Sequence, residues 1–553
     1  MTIHQSSFPS VEIPNIALTP YIFQHAESQD VAVVDAMSGK TFTYEELQRD
    51  IIRFAGSLEA WGFPTGGVMA VMAPNMAEYP VVVHGVLTMG GTVTTVNPLY
   101  TAEELANQLR DSGAQMIFVH ALFAETALTA AASIDDAHVL KGVIVYGAEI
   151  DGTISYEKFL DGEYGQTGDV GQAEVDLDTH VAVLPYSSGT TGLPKGVMLS
   201  HRNLVANIEQ CKANLTKEPE AIIAVLPFFH IYGFHVLLNT MLSMGKTVVT
   251  LPRFDLEVFL GLIQQYKAKN IYVVPPIVVA LAKHPLVDNF DLSSLEGIFS
   301  GAAPLGSDVE NLVTERLGVK VLQGYGMTEL SPVSHLCPED FEKPGSIGKL
   351  VANSECRIVS SATGEDMGVG EEGEIWVRGP QVMLGYLGNE QATVDTIDED
   401  GWLHTGDIGY VDEDGDYFIT DRLKELIKFK GFQVPPAELE ALLLGHPDVA
   451  DAAVVGYPDE EAGEVPKAFV VLKADVSSAD TASKSTEIID FVAEQVAHYK
   501  KIRIMEFVEE IPKSASGKIL QLLHRDNPQR QHQPHQDVPT AEPRAQQAVP
   551  EIP

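Results

Sequence analysis

Positive charge is what this chain has little of. Lysine and arginine together number 36 against 77 aspartates and glutamates, a formal charge of −41 over 553 residues. That balance argues against nucleic-acid and anionic-membrane partners, whose phosphates such a surface would repel. It fits either a salt-rich host cytoplasm or an ordinary acidic enzyme. Cysteine is scarce too. Cys211, Cys337 and Cys356 have no metal-ligand spacing and are too few for a disulfide framework, which points to a reducing cytoplasm. No stretch reaches the roughly 18 uninterrupted apolar residues of a membrane span. The longest candidate, Tyr79 to Val96, is broken by His84, Gly85, Gly90, Gly91 and several threonines. The first residues, with His4, Pro9 and Glu12, lack the basic and apolar regions of a signal peptide. The last four, Pro550-Glu-Ile-Pro553, do not match a peroxisomal address. A cytoplasmic protein is the expectation.

What the chain does have is an ordinary globular composition, 45% hydrophobic and 20% charged, in a length that suits two or more domains. From Pro20 to Asp421 short apolar runs alternate with amphipathic stretches. Val68 to Met72, Met116 to Val119, Val143 to Val145, Ile222 to Leu226, Thr247 to Leu251, Ile271 to Val274 and Gly297 to Ser300 read as buried strands. Glu45 to Trp61, Glu103 to Ser112, Leu256 to Tyr266 and Ser307 to Leu317 read as helices. The alternation predicts an α/β fold with parallel sheets. Asp412 to Asp416 reads as an acidic hairpin tip. A smaller unit then runs from Arg422 to Leu523, with helices at Ala437 to Leu444 and Thr486 to Ala497 and strands at Val449 to Val455 and Ala468 to Leu472. Beyond Arg525 the hydrophobic pattern stops, and the tail is expected to be disordered. The division expected is 1–421, 422–523 and a tail at 524–553.

One stretch carries chemistry by itself. Tyr186-Ser-Ser-Gly-Thr-Thr-Gly-Leu-Pro-Lys-Gly-Val197 follows a strand-like run and packs hydroxyls, glycines and a lysine into one loop. Glycines let backbone N–H groups close on a phosphate, hydroxyls add donors, and Lys195 neutralises charge. Its spacing is not that of the Walker loop, because Lys195 is followed by Gly196 rather than by Ser or Thr. The alternative is a plain polar turn.

The loop resembles the signature of adenylate-forming enzymes, the superfamily of acyl- and aryl-CoA synthetases, luciferases and nonribosomal peptide adenylation domains. Four further segments follow in that superfamily's order: Gln323-Gly-Tyr-Gly-Met-Thr-Glu329, Gly401-Trp-Leu-His-Thr-Gly-Asp407, the hinge-like Asp421 to Gln433, and Pro512-Lys-Ser-Ala-Ser-Gly-Lys518. The likeness covers the chain from about Val11 to Gln521. It is greatest to 4-coumarate:CoA ligases, through Val273-Val-Pro-Pro-Ile277, Ser300-Gly-Ala-Ala-Pro-Leu-Gly306 and Pro435-Pro-Ala-Glu-Leu-Glu440. It implies a large N-terminal domain of several subdomains with mixed sheets and a smaller, mobile α+β C-terminal domain. The implied reaction uses ATP, Mg²⁺ and coenzyme A: a carboxylic acid becomes an acyl-adenylate, then a CoA thioester. The tail is too short to be a carrier domain.

Residue by residue, the resemblance implies that Ser187, Ser188, Gly189, Thr190, Thr191 and Lys195 hold the β- and γ-phosphates. Thr328 would donate to the α-phosphate and Glu329 would bind the metal. Tyr325, with Gly324 beside it, suits stacking on adenine; Asp407 and Arg422 would take the ribose, and Ala302 and Gln323 complete the AMP pocket. His230 lies in an apolar stretch where a histidine is more often a core residue, yet the match places it beside the acyl carboxylate. Tyr232, Val236, Phe299, Ala302, Gly324, Gly326, Pro332 and Val333 match the acyl pocket. Lys518 would act in adenylation, Lys428 and Gln433 in thioester formation, and Lys424 as the hinge. Arg253, Lys430 and Gly431 match CoA contacts.

Val236 is a departure, because plant 4-coumarate ligases commonly carry a serine there that engages the ring hydroxyl. With the bulky Phe299, an apolar pocket is expected, for an arylpropenoate such as 4-coumarate, an unsubstituted aryl acid or a medium-chain acid. A fatty-acyl-CoA synthetase is the nearest rival; a luciferase-like monooxygenase and a non-catalytic nucleotide-binding protein are further ones. The lysine loop yields a first test. Lys518→Ala removes charge stabilisation from a loop, and acid-dependent ATP–pyrophosphate exchange should fall on the order of 10²–10³-fold with the melting temperature unchanged.

Overall fold

The computed structural model describes residues 2–24, 27–134, 140–166, 168, 170–187, 194–215, 220–338, 341, 343–423, 425–429, 432–459, 462–473, 476 and 481–513. β-Branched runs form strands that lie parallel, because amphipathic helices carry the chain back between them. Val68–Met72 lies between Thr92–Thr95 and Ala114–His120, and Gly142–Tyr146 and Ile154–Ser155 extend the sheet. On its other side Thr92–Thr95 pairs with Val181–Val183, beyond which Lys195–Ser200 runs antiparallel. A second sheet sets Ala221–Ala224, Thr247–Thr250 and Val31–Asp35 in parallel. A third joins Asn270–Val273, Gly297–Ser300 and Lys320–Gly326, continued antiparallel by Val333–Leu336. The α/β reading with mixed sheets is therefore correct.

Helices Tyr44–Trp61 and Ala102–Ser112 begin with capping boxes, Thr43 with Glu46 and Thr101 with Glu104, and end on left-handed Gly62 and Gly113. The strand expected over Ile222 to Leu226 stops at Ala224, where the Val225 N–H turns back onto the Ile223 carbonyl at 3.1 Å. The apolar run from Tyr79 becomes the buried helix Tyr79–Thr88 and the strand Thr92–Thr95. Among the described residues no helix is long and apolar enough to cross a membrane.

A fourth sheet is antiparallel, ordered Glu355–Val359, Gly373–Arg378, Leu403–Val411, Tyr417–Arg422. Asp412 to Asp416 is its hairpin tip, closed by the Asp412 N–H on the Asp416 carbonyl at 2.9 Å. The Lys343 ammonium reaches Asp412, Asp414 and Asp416 at 2.7, 2.6 and 2.8 Å, so a lysine already answers this acidic cluster.

Beyond Arg422 the chain builds a separate core around Ile427, Leu439, Leu443, Val454, Ala468, Val470 and Ile488. Val449–Asp459 and Gly463–Leu472 form its long hairpin, with Ile504–Phe507 parallel at the edge. The second helix is Thr481–Ala493 rather than the expected Thr486 to Ala497; its last turn closes with the Gln495 N–H on the Val492 carbonyl at 3.0 Å. Helix Pro436–Gly445 is held at both ends by side chains of the large unit. Asp421 accepts the Ala437 N–H at 3.3 Å, while the Lys283 ammonium donates to the Leu444 and Val449 carbonyls at 2.8 and 3.2 Å. Both charges have the sign that complements the helix dipole.

Opposite the strand ends that carry the site, Lys246 and Glu220 form an ion pair with side chains 0% and 2% exposed, and Asn270 donates to the Glu220 carboxylate at 3.2 Å. The pair lies where Ala221–Ala224, Thr247–Thr250 and Asn270–Val273 begin. Lys246→Met should cost about 3–5 kcal/mol in chemical denaturation by stranding the carboxylate, and adding Glu220→Gln should restore most of it.

Candidate active site

Parallel strands present their carboxyl ends to one side of a sheet, and the loops beyond those ends gather ligand-binding groups. Ala221–Ala224 leads through Leu226 and Pro227 to His230, whose Nδ1 accepts the Tyr232 N–H at 3.3 Å; a neutral ring then carries its proton on Nε2. Next comes a π-helix, Tyr232–Thr240, a form concentrated at functional sites. Its start is pressed against the preceding turn. A Cβ on Gly233 would stand 2.3 Å from the Pro227 carbonyl oxygen and 2.6 Å from that of Leu226, so only glycine permits the approach.

Gly297–Ser300 leads to Gly301 and Ala302. A Cβ on Gly301 would meet the Tyr232 ring at 3.3 Å and the Gly324 carbonyl at 3.4 Å, which brings three candidate segments together. Ala302 is held at φ +71°, a strained conformation for a residue with a Cβ. His230, Tyr232 and Ala302 line one small crevice with Leu226, Pro227 and Val274. Phe299 stacks on Tyr272 of the adjacent strand, centroids 4.9 Å apart, and Val236 is buried on the π-helix. Gly326 is dictated by the hairpin, since a Cβ there would stand 2.0 Å from the Pro332 carbonyl oxygen. Val333 is fixed by Asn207, whose amide donates to the Val333 carbonyl at 2.7 Å and accepts its N–H at 3.1 Å.

At the other end, Asp407 is gripped from both sides. The Tyr325 hydroxyl donates to it at 2.5 Å and the Arg422 Nε reaches it at 3.2 Å. Burial, reinforced by Asp407, holds the Tyr325 phenol far above its usual range, so it stays a donor. Gln323 turns inward, donating to the Leu305 carbonyl at 3.0 Å and to Glu310 at 2.7 Å. Burial pushes the Glu310 carboxyl up to about 7.

A third group gathers Lys195 and Glu329 about Tyr386, with Thr328 next to Glu329 in the chain. The Lys195 ammonium lies 4.0 Å from the centroid of the Tyr386 ring, and the Tyr386 hydroxyl donates to Glu329 Oε1 at 2.8 Å. Thr328 opens the short turn Thr328–Leu330. The second Glu329 oxygen takes no hydrogen bond among the described residues, so this carboxylate could offer a hard oxygen to a divalent cation.

Other sequence candidates are not drawn in. Arg253 and Lys428 are exposed, and Ser187 sits on the edge strand Tyr186–Ser187. The Gln433 backbone pairs opposite Lys428. Ser188, Gly189, Thr190, Thr191, Lys424, Lys430, Gly431 and Lys518 lie outside the described residues, as does the tail at 524–553. Tyr386, Asn207, Glu310 and Tyr272 escaped the sequence reading, because each looks like an ordinary residue of a helix or strand.

Known proteins bear on this geometry. Residues 23–387 match the family described as AMP-binding enzyme, and residues 438–518 match the AMP-binding enzyme C-terminal domain. The chain is 43% identical to probable 4-coumarate–CoA ligase 1 of Dictyostelium discoideum over 95% of its own length and 98% of that protein. It is 42% identical to 4-coumarate–CoA ligase 1 of Solanum tuberosum, over 94% and 95%. A solved anthranilate CoA ligase in complex with anthranoyl-AMP superposes with a TM-score of 0.84 at 26% identity, covering 92% of this chain and 96% of that one.

The Gly233 contact supplies a test. Gly233→Ala should lower stability by roughly 1–3 kcal/mol in thermal unfolding and disturb acid binding more than ATP binding. Gly261→Ala, where an added Cβ would meet only Phe290 at 3.8 Å, should leave both unchanged or raise stability slightly.

Proposed function

This chain belongs to the AMP-binding enzymes, and we propose that it is an ATP-dependent carboxylic acid:CoA ligase acting on 4-coumarate or a related arylpropenoate. The observation that carries the reading is that strand Lys320–Gly326 joins a nucleoside cluster, Tyr325–Asp407–Arg422, to an acyl cluster, His230–Tyr232–Ala302, because the Gly324 carbonyl and the Tyr232 ring both face Gly301, and Glu329 follows on the same segment. Relatives named 4-coumarate–CoA ligases, over 40% identical along nearly the whole chain, support the same acid class.

In the first step an acid carboxylate oxygen attacks the α-phosphorus of ATP and pyrophosphate leaves. Two anions must meet, and the chain answers with Lys195, Thr328, the 188–191 loop and, from the small unit, Lys518. Glu329 would hold Mg²⁺, which neutralises phosphate charge when bound. Asp407 accepts from the ribose hydroxyls, Arg422 and Tyr325 keep that carboxylate aimed, and Ala302, Gln323 and Gly324 complete the AMP pocket. His230 lies beside the acyl carboxylate. In the second step the small unit turns about Lys424, Lys428 and Gln433 replace Lys518, and CoA, held by Arg253, Lys430 and Gly431, attacks the acyl carbonyl through its sulfur while AMP departs. A cytoplasmic setting suits soluble ATP and CoA.

The wall of the acyl pocket is apolar. Tyr232, Val236, Phe299, Gly326, Pro332 and Val333 offer a ring or chain contact area, and the buried Val236 gives a phenol no partner. That feature keeps a fatty-acyl-CoA synthetase as the second reading. Thioester formation and pyrophosphate release with 4-coumarate, cinnamate, benzoate and octanoate separate the two. Highest kcat/KM on an arylpropenoate supports the reading, octanoate preference favours the rival, and no pyrophosphate release with any acid overturns ligase chemistry. Val236→Ser should raise the 4-coumarate to cinnamate ratio of kcat/KM, since an unpaired buried hydroxyl costs roughly 1–3 kcal/mol. An unchanged ratio would place Val236 away from the far end of the ring.

A further inference from the structure

Tyr386 has no part in the scheme above, yet its side chain touches both charged groups of the phosphate end. It closes the two-residue strand Gly385–Tyr386, which pairs with Lys195–Ser200 so that Tyr386 stands opposite Val197. The backbone there is pinned on several sides. Leu384 and Leu387 donate to the Met198 and Gly196 carbonyls, each at 2.9 Å, and the Tyr386 N–H donates to Thr393 Oγ1 at 2.9 Å. Gly385 sits at φ +138°, and a Cβ there would strike the Thr393 side chain at 2.7 Å, so this approach admits only glycine. The ring is 5% exposed, with the Lys195 ammonium 4.0 Å from its centroid and the Glu329 carboxylate 2.8 Å from its hydroxyl. In that contact the hydroxyl is the donor and the carboxylate the acceptor.

With the shared tyrosine removed, an ion pair between this lysine and this glutamate becomes the competing arrangement. That pairing would take the ammonium from the phosphates and the carboxylate from the metal. The aromatic face attracts a cation without neutralising it, and the hydroxyl occupies one carboxylate oxygen while leaving the other. Among the described residues the Lys195 ammonium meets the Tyr386 ring rather than a carboxylate.

We propose that Tyr386 is a positioning residue that keeps Lys195 and Glu329 apart and aimed, so that the ATP phosphates and their Mg²⁺ meet both charges in place. The proposal rests on the ligase reading of this site. Equilibrium binding of ATP to the full chain, without acid and across a series of Mg²⁺ concentrations, tests it. Tyr386→Phe keeps the ring and loses the hydroxyl; it should raise the Mg²⁺ concentration for half-maximal ATP binding by about 10-fold and leave metal-free ATP affinity near wild type. Tyr386→Leu loses both contacts and should also weaken metal-free ATP binding by roughly 3-fold or more. A merely structural tyrosine would lower the melting temperature without this separation of metal and nucleotide effects. A wild-type Mg²⁺ response in Tyr386→Phe overturns the proposal while leaving the ligase reading intact, and that variant alone decides if Tyr386→Leu does not fold. Failure of the wild-type chain to bind ATP at any Mg²⁺ concentration overturns both.

Discussion

The acyl cluster depends on one backbone contact, the approach of Gly233 to the Pro227 carbonyl. Because nothing larger than hydrogen fits between them, the turn after Ala221–Ala224 and the start of the π-helix form one rigid corner. His230 and Tyr232 project from that corner, and Val236 is one turn further along the same helix. The Tyr232 ring in turn limits Gly301 and so places Ala302. Four candidate residues from two sheets thus owe their relative positions to a missing methyl group.

Charge sets the second requirement. A chain of −41 must receive two polyanions, ATP and CoA in the proposed reaction, so a cation lost to a neighbouring carboxylate would be hard to replace. At Glu329 the structure meets this with a tyrosine, since Tyr386 is a neutral donor to that carboxylate, whereas Asp407 takes both the Tyr325 hydroxyl and the Arg422 guanidinium. Elsewhere, at the 412–416 tip and between Glu220 and Lys246, lysine and carboxylate pair directly, far from any need for a free cation.

Period and turn chemistry were enough to read the parallel sheets and the helices between them, since burial on both faces writes itself into continuous β-branched runs. The antiparallel sheet from Glu355 to Arg422 was seen only at its tip, because its strands mix polar and apolar residues at bulges such as that between Ile408 and Gly409. The π-helix was invisible to any argument built on a period of 3.6. Within the site, the residues of the motifs were legible, but their supports were not. Asn207 sits mid-helix and Glu310 looks like a surface carboxylate, and only the fold shows their contacts with Val333 and Gln323. Histidine is the sharpest case. His230 and His235 lie five residues apart in one apolar stretch, and only the resemblance, not composition or period, singles out His230. The structure buries His235 completely, bonds it to the Leu204 carbonyl at 3.0 Å and lowers it to about 4 by burial, while His230 lines the crevice.

The helix gripped at both ends also makes the seam between the two units a proton exchanger. Burial, with Glu425 adding to it against Arg422, raises the Asp421 carboxyl to about 7; burial and Lys473, opposed by Asp451, lower the Lys283 ammonium to about 8. Parting the units would return both groups to water and to their ordinary ranges. Below the raised carboxyl value the seated state holds a proton that the parted state releases, so acid favours seating. Above the lowered ammonium value the seated state has already lost a proton that the parted state regains, so alkali favours it as well. In the interval between those two values Asp421 and Lys283 each carry their charge, and the seated helix keeps both hydrogen-bonded to its ends.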